Sequence, residues 1–158
     1  MYNIGYFIWK FTREKTNPFH HREPWMSKTA IKYIKENINK NTKVLEFGGG
    51  ASTLFFSDNC KLVDVIETNK NYINKIKTSL RKNNVEFINK PRKKYDLILV
   101  DSSGDRVQEF EESKQYLKRN GVIIFDDFKR YGVKPDLEFS GYARDYAGIT
   151  TTGVFLNV

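Results

Sequence analysis

The sequence predicts an α/β fold: a mostly parallel sheet with helices on both faces and an antiparallel hairpin at its C-terminal end. Three observations predict it. Short apolar runs alternate with segments whose apolar residues recur at helical spacing, the pattern of strand–helix–strand units. Three consecutive glycines, Gly48, Gly49 and Gly50, interrupt the chain between a strand pattern and a helix pattern. β-Rich segments at Leu137–Tyr142 and Thr150–Val158 are separated only by a turn region with Asp145 and Gly148, which suits antiparallel pairing.

The elements follow in order. Ser27 has the chemistry of a helix N-cap, and Ala30, Ile31, Ile34 and Ile38 then recur on one face of a basic helix that ends at Asn39–Asn41. Lys43–Phe47 reads as a buried strand, stopped by the glycines, and Ser52–Ser57 as a short apolar helix. Leu62–Glu67 is a second strand. Tyr72, Ile73, Ile76 and Leu80 form the next helical stripe, and Val85–Ile88 a short third strand. Pro91–Lys94 is a turn that leaves little room for a helix. Tyr95–Val100 is the strongest strand and ends at Asp101. Val107, Phe110 and Leu117 mark a helix, and Gly121–Phe125 a strand ending at Asp126 and Asp127. With the hairpin, the sheet has seven strands.

Composition bounds the function. A chain of 158 residues with 39% hydrophobic residues supplies one domain with a proper core, not a disordered tail. Residues 1–24 form an N-terminal aromatic arm or lid, with Tyr2, Tyr6, Phe7, Trp9 and Phe11 crowded ahead of His20 and His21; residues 25–158 form the folded domain. The arm suits core or oligomer packing, or a flap over a site, and an interfacial membrane contact is the alternative. The lone Cys60 excludes an internal disulfide and a cysteine-based zinc site. No run approaches the about 20 apolar residues of a membrane span, and no signal-peptide pattern opens the chain, so a reduced, cytoplasmic compartment is expected. The net charge of +8 admits an anionic partner, although the lysines are scattered along the whole chain.

In sheets of this kind a ligand sits at the carboxyl ends of the strands, near the switch in strand order. The residues there carry chemistry. A glycine turn lets a ligand approach the backbone without interference from a Cβ, and the helix beyond offers unpaired N–H groups. Glu67 ends the second strand 19 residues after Gly48, where a carboxylate can accept both hydroxyls of a ribose. Together these suggest an adenosine-containing ligand. A nicotinamide dinucleotide wants a third glycine, and Thr53 stands in its place. S-adenosylmethionine carries no phosphate, and its sites use an acid just before the glycine turn; Glu46 is that residue.

On these residues the sequence resembles the class I, Rossmann-like S-adenosylmethionine-dependent methyltransferases. Their first motif appears as Glu46-Phe47-Gly48-Gly49-Gly50-Ala51-Ser52, with Ser52 in place of the last glycine; the acid of the second strand is Glu67; the fourth and fifth strands correspond to Tyr95–Asp101 and Gly121–Asp127. The likeness covers roughly residues 25–158 and extends to a group of small methyltransferases, some associated with glycan or polysaccharide biosynthesis, through Pro24-Trp25, Val100–Arg106, Asp126–Tyr131, Phe139–Gly141 and Thr150–Phe155. The resemblance implies a Rossmann-like three-layer sandwich. It implies cofactor contacts from Glu46, Phe47, Gly48, Gly49, Gly50, Ser52, Glu67, Thr68, Asp101 and Ser102, with Asn89 a candidate for the adenine edge. It implies catalytic roles for Asp101, Asp126 and Asp127, whose arrangement is similar to the metal-binding acids of catechol-type O-methyltransferases, so that Mg²⁺ is a conceivable second cofactor. The acceptor is expected to be a small molecule or glycan oxygen. An RNA or other nucleic-acid methyltransferase, a non-catalytic S-adenosylmethionine-binding module and a nicotinamide-dependent oxidoreductase are the alternatives. His20 or His21 could act as a base if the arm folds over the site, and a second subunit could complete the lid. Arg92-Lys93-Lys94 and Lys129-Arg130 could bind phosphate or an anionic sugar.

Overall fold

A computed structural model describes residues 18–143 and 149–156. The aromatic cluster between Tyr2 and Phe11, and the turn with Asp145 and Gly148, lie outside the described residues.

Short strands and helices alternate, as the patterning requires. The helices are α1 (Pro18–His21), α2 (Lys28–Asn37), α3 (Ala51–Asn59), α4 (Lys70–Ser79) and α5 (Arg106–Ser113). The strands are β1 (Lys43–Phe47), β2 (Leu62–Ile66), β3 (Val85–Phe87), β4 (Tyr95–Val100), β5 (Leu117–Asp126), β6 (Leu137–Tyr142) and β7 (Ile149–Leu156). They form one seven-stranded sheet in the order β3-β2-β1-β4-β5-β7-β6. Strands β1 to β5 are parallel, and β7 inserts antiparallel between β5 and β6. The sheet order reverses between β1 and β4, so the crevice of the switch point opens where Gly48 and Asp101 leave those strands.

Capping and burial account for the helices. Ser27 Oγ accepts the Ala30 N–H at 3.2 Å, and Ala30, Ile31 and Ile34 bury the stripe of α2. Tyr33 of α2 stacks 5.3 Å from Phe139 of β6. Asn69 caps α4 by accepting from Asn71 and Tyr72 N–H, and Asp105 caps α5 by accepting from Gln108 N–H. Helix α3 has no polar face: Ala51 through Ser57 are all buried. Part of its cover is the segment preceding α2. There Arg22 makes a forked pair with Asp58 at 2.6 and 3.0 Å and donates to the Ser79 carbonyl at 2.7 Å, tying the ends of α3 and α4 together.

Two apolar layers result. One holds Ile31, Ile34, Phe55, Phe56, Val63 and Leu99; the other holds Leu45, Ile98, Phe110, Phe125 and Phe155. The helical spacing that assigned Leu117 to the helix after Val107 is overturned. The α-helix stops at Ser113, a 3₁₀ turn spans Lys114–Tyr116, and Leu117 opens β5, which is longer than the Gly121–Phe125 pattern. Leu117 is buried opposite Tyr95, and the ladder resumes at Leu97 and Val122 after a shift in register. Gly121 permits that irregularity, since a Cβ there would meet the Asp96 carbonyl oxygen at 2.9 Å.

Candidate functional site

The glycine turn is fixed by its own hydrogen bonds. Gly48 has φ +88°, and a Cβ there would lie 2.5 Å from the Asp101 carbonyl oxygen and 2.6 Å from Ser102 Cα. The turn from β1 is thus pressed against the end of β4. Gly48 N–H donates to the Ile66 carbonyl at 2.9 Å, Gly49 N–H to Glu67 Oε2 at 3.1 Å and Gly50 N–H to Thr53 Oγ1 at 3.0 Å. Glu46 lies behind the turn, fully buried. It accepts both the Ser52 hydroxyl and the Thr53 hydroxyl, the latter at 2.5 Å. Burial pushes Glu46 up to about 7, against the pull of those two hydroxyls.

Glu67 projects from the end of β2 and accepts two backbone donors, Gly49 on Oε2 and Asn69 on Oε1 at 2.6 Å. A carboxylate has about four acceptor positions, so two remain. They can take the vicinal hydroxyl pair of a ribose.

Across the crevice the chemistry is charged. Asp101 Oδ1 pairs with Arg106 Nη2 at 2.9 Å. Burial pushes Asp101 up to about 7; Arg106 opposes this, while Glu46 and Asp127 add to it. Asp126 is buried and accepts the Thr152 hydroxyl at 3.1 Å; burial, with Asp101 and Asp127 adding to it, holds it well above the usual carboxylate range. Asp127 takes a left-handed backbone, φ 56°, and pairs with Arg130 at 3.2 Å. Ser102 Oγ donates to Glu109 Oε2 at 2.6 Å.

Between the glycine turn and Asp101 lies a cavity of about 400 Å³, within the range that holds small-molecule ligands. Of the residues that the sequence offers as cofactor contacts, Gly48, Gly49, Gly50, Ser52, Glu67, Asp101 and Ser102 line it. Glu46 and Phe47 stand behind the wall. Thr68 is exposed and outside the cavity, and Asn69 lines it instead. Asn89, Asp126, Asp127, His20 and His21 do not line it.

The architecture has solved counterparts. An rRNA methylase from Streptococcus thermophilus matches with a TM-score of 0.62 at 13% identity, over 92% of this chain and 99% of that one. The chain has the fold of the class I methyltransferases. The N-methyltransferase NodS from Bradyrhizobium japonicum WM9 matches with a TM-score of 0.64 at 16% identity, over 91% of this chain and 99% of that one. An O-methyltransferase from Bacillus cereus, in complex with SAH (S-adenosylhomocysteine), matches with a TM-score of 0.64 at 14% identity, over 96% of each chain. No family model and no curated protein matches the sequence. No helix among the described residues is long and apolar enough to cross a membrane.

The three aspartates that the resemblance offers to Mg²⁺ do not fit one. Asp101 is held by Arg106, Asp126 by Thr152 and Asp127 by Arg130. Among the described residues no three His, Cys, Asp or Glu side chains are arranged around a common point for a metal. An octahedral ion needs oxygen ligands that converge, and these carboxylates do not.

Sequence reasoning missed Arg106, Asn69, Tyr72, Phe19 and Trp25 among the lining residues. Arg106 opens α5 with no periodic signal to mark it. The resemblance points to Thr68, and its neighbour Asn69 lines the cavity. The helical spacing places Tyr72 on an apolar stripe, yet only Ile76 of α4 is buried, and Tyr72 stays 47% exposed at the cavity wall. Phe19 and Trp25 reach the cavity from the segment before α2. The crowding of aromatics ahead of Ser27 was the available signal for those two.

Proposed function

We propose that the protein is an S-adenosylmethionine-dependent methyltransferase acting on a hydroxyl oxygen of a small molecule or glycan. One observation carries the cofactor assignment: every glycine N–H of the turn is already used within the protein, while Glu67 keeps acceptor capacity. A pyrophosphate needs free N–H groups in that turn. An adenosyl group with a sulfonium needs acceptors for its ribose and negative charge near its sulfur, and Glu67 and Asp101 supply these. The class I methyltransferase fold and the resemblance of the motifs support the same reading.

Glu67 would hold the ribose hydroxyls, and Gly50 and Ser52 would border the rest of the cofactor. Bound there, the cofactor supplies a methyl carbon whose bond to sulfur breaks, with both electrons staying on sulfur, as the bond to the acceptor oxygen forms. The protein's task is then alignment and proton removal. Asp101 lines the cavity and, in its ionised form, accepts the hydroxyl proton of the acceptor. Ser102 and Ser103 border the same side. Residues 18–25 act as a lid, with Phe19 and Trp25 at the mouth, and exclude water from the acceptor side.

A small neutral acceptor is favoured over nucleic acid because the basic runs have partners inside the chain. Lys93 pairs with the buried Asp64 at 3.0 Å, Lys94 donates to the Gln115 carbonyl at 2.6 Å, and Lys129 and Arg130 face Glu138 and Asp127. Isothermal titration calorimetry with S-adenosylmethionine and NAD⁺ tests the cofactor assignment. The reading expects saturable one-to-one binding of the first and none of the second. The opposite result defeats it.

A further inference from the structure

Arg106 stands where an arginine is poorly placed by helix chemistry. It is the first residue of α5, where the helix dipole favours negative groups, and its side chain is only 13% exposed. A cation held out of water persists where partners compensate its desolvation. Here Nε donates to the Ser102 carbonyl at 2.6 Å, Nη1 donates to the Asp126 carbonyl at 2.8 Å, and Nη2 pairs with Asp101 Oδ1 at 2.9 Å. The Tyr131 ring lies 5.7 Å from the guanidinium carbon. A single planar fork therefore binds the loop after β4 to the end of β5 and grips one oxygen of Asp101. A lysine, with one point of charge, cannot reach all three acceptors at once.

We propose that Arg106 is the positioning residue of the acceptor half of the site: it holds Asp101 by Oδ1, leaves Oδ2 for the acceptor's proton, and fixes the spacing of the β4 and β5 ends between which the acceptor enters. The proposal rests on the reading of Asp101 as the proton acceptor. Asp101 keeps 28% exposure on the cavity, and its contact with Arg106 falls on Oδ1. Glu46 from β1 and Asp126 and Asp127 from the end of β5 all bear on Asp101 with like charge, and Arg106 from α5 is the cation that opposes them. Without it, three carboxyl neighbours stand unopposed.

The test follows the Asp101 carboxyl by carbon-13 NMR across pH in the wild type, R106M and R106K, with the resonance assigned through D101N. S-adenosylhomocysteine is titrated into the wild type in parallel. R106M is expected to raise the Asp101 midpoint by about one pH unit or more, and R106K by about half a unit, because charge remains while the fork is lost. A merely structural arginine would alter the melting temperature and leave the midpoint in place. A midpoint unmoved in R106M, or in R106K should R106M not fold, overturns the proposal. A wild type that binds no S-adenosylhomocysteine, while the Asp101 midpoint still moves, defeats the methyltransferase reading and leaves the Arg106–Asp101 coupling standing.

Discussion

The two halves of the cavity are built on different principles. The β1–β2 half is backbone: three glycines whose N–H groups are satisfied internally, and one carboxylate held by two of the chain's own donors. The β4–β5 half is charge: Asp101 and Arg106 pair at the cavity, and the Asp126 and Asp127 carboxyls, which do not line it, bear on Asp101. The first half suits a ligand whose shape is constant, and the second suits a group whose protonation must change. Rigid backbone and titratable side chains are thus divided along the switch point of the sheet.

The largest effect should come from the seam between the halves. In G48A the new Cβ falls within 2.6 Å of Asp101 and Ser102 backbone atoms, at a positive φ that disfavours any side chain. The substitution should cost about 3 kcal/mol in urea denaturation. Stability equal to the wild type would show that the turn and β4 are not pressed together.

Next in size is the pH dependence of folding. Glu46, Asp101 and Asp126 all have raised values in the folded protein. Between pH 4 and 7 the folded state therefore binds more protons than the unfolded chain, and stability falls as pH rises through that window. Glu46 alone, raised to about 7, should contribute about 3 kcal/mol of this loss by pH 8. E46Q should flatten the profile, which thermal melts between pH 5 and 8 would show. An unchanged slope would mean that Glu46 does not titrate in this range.

E67A separates the halves by binding. Loss of the ribose acceptor should weaken S-adenosylhomocysteine by about 10- to 100-fold in calorimetry, as for a hydrogen bond to a charged group. Unchanged affinity would remove Glu67 from the site. The smallest structural effect belongs to G50A. A Cβ there meets only Ser52 Oγ at 3.8 Å, so the fold should hold within about 1 kcal/mol while the added methyl narrows the cavity and weakens the cofactor. Destabilisation matching G48A would show that the two glycines do the same job.

The backbone half was the legible one. Glycine runs and a carboxylate at a fixed spacing are sequence signals because backbone geometry imposes them, so Gly48–Gly50 and Glu67 could be read directly. The one-residue miss, Thr68 for Asn69, arises because β2 ends at Ile66 and the chain turns so that Asn69 both caps α4 and faces the cavity. The charged half was legible only as acids at strand ends. Asp101 lines the cavity, but Asp126 turns inward to Thr152, a partner 26 residues away on β7. Arg106 could not be singled out, because its value lies in three acceptors beyond β4 and at the end of β5 that only folding brings together. Helical spacing likewise misled at Leu117, whose burial opposite Tyr95 belongs to the sheet.

The most direct measurement is a crystal structure of the protein soaked with S-adenosylhomocysteine. The account predicts its ribose hydroxyls on Glu67, its adenosyl group along Gly48–Gly50, and its sulfur turned toward Asp101. An empty crevice, or a nucleoside bound elsewhere on the molecule, would contradict it.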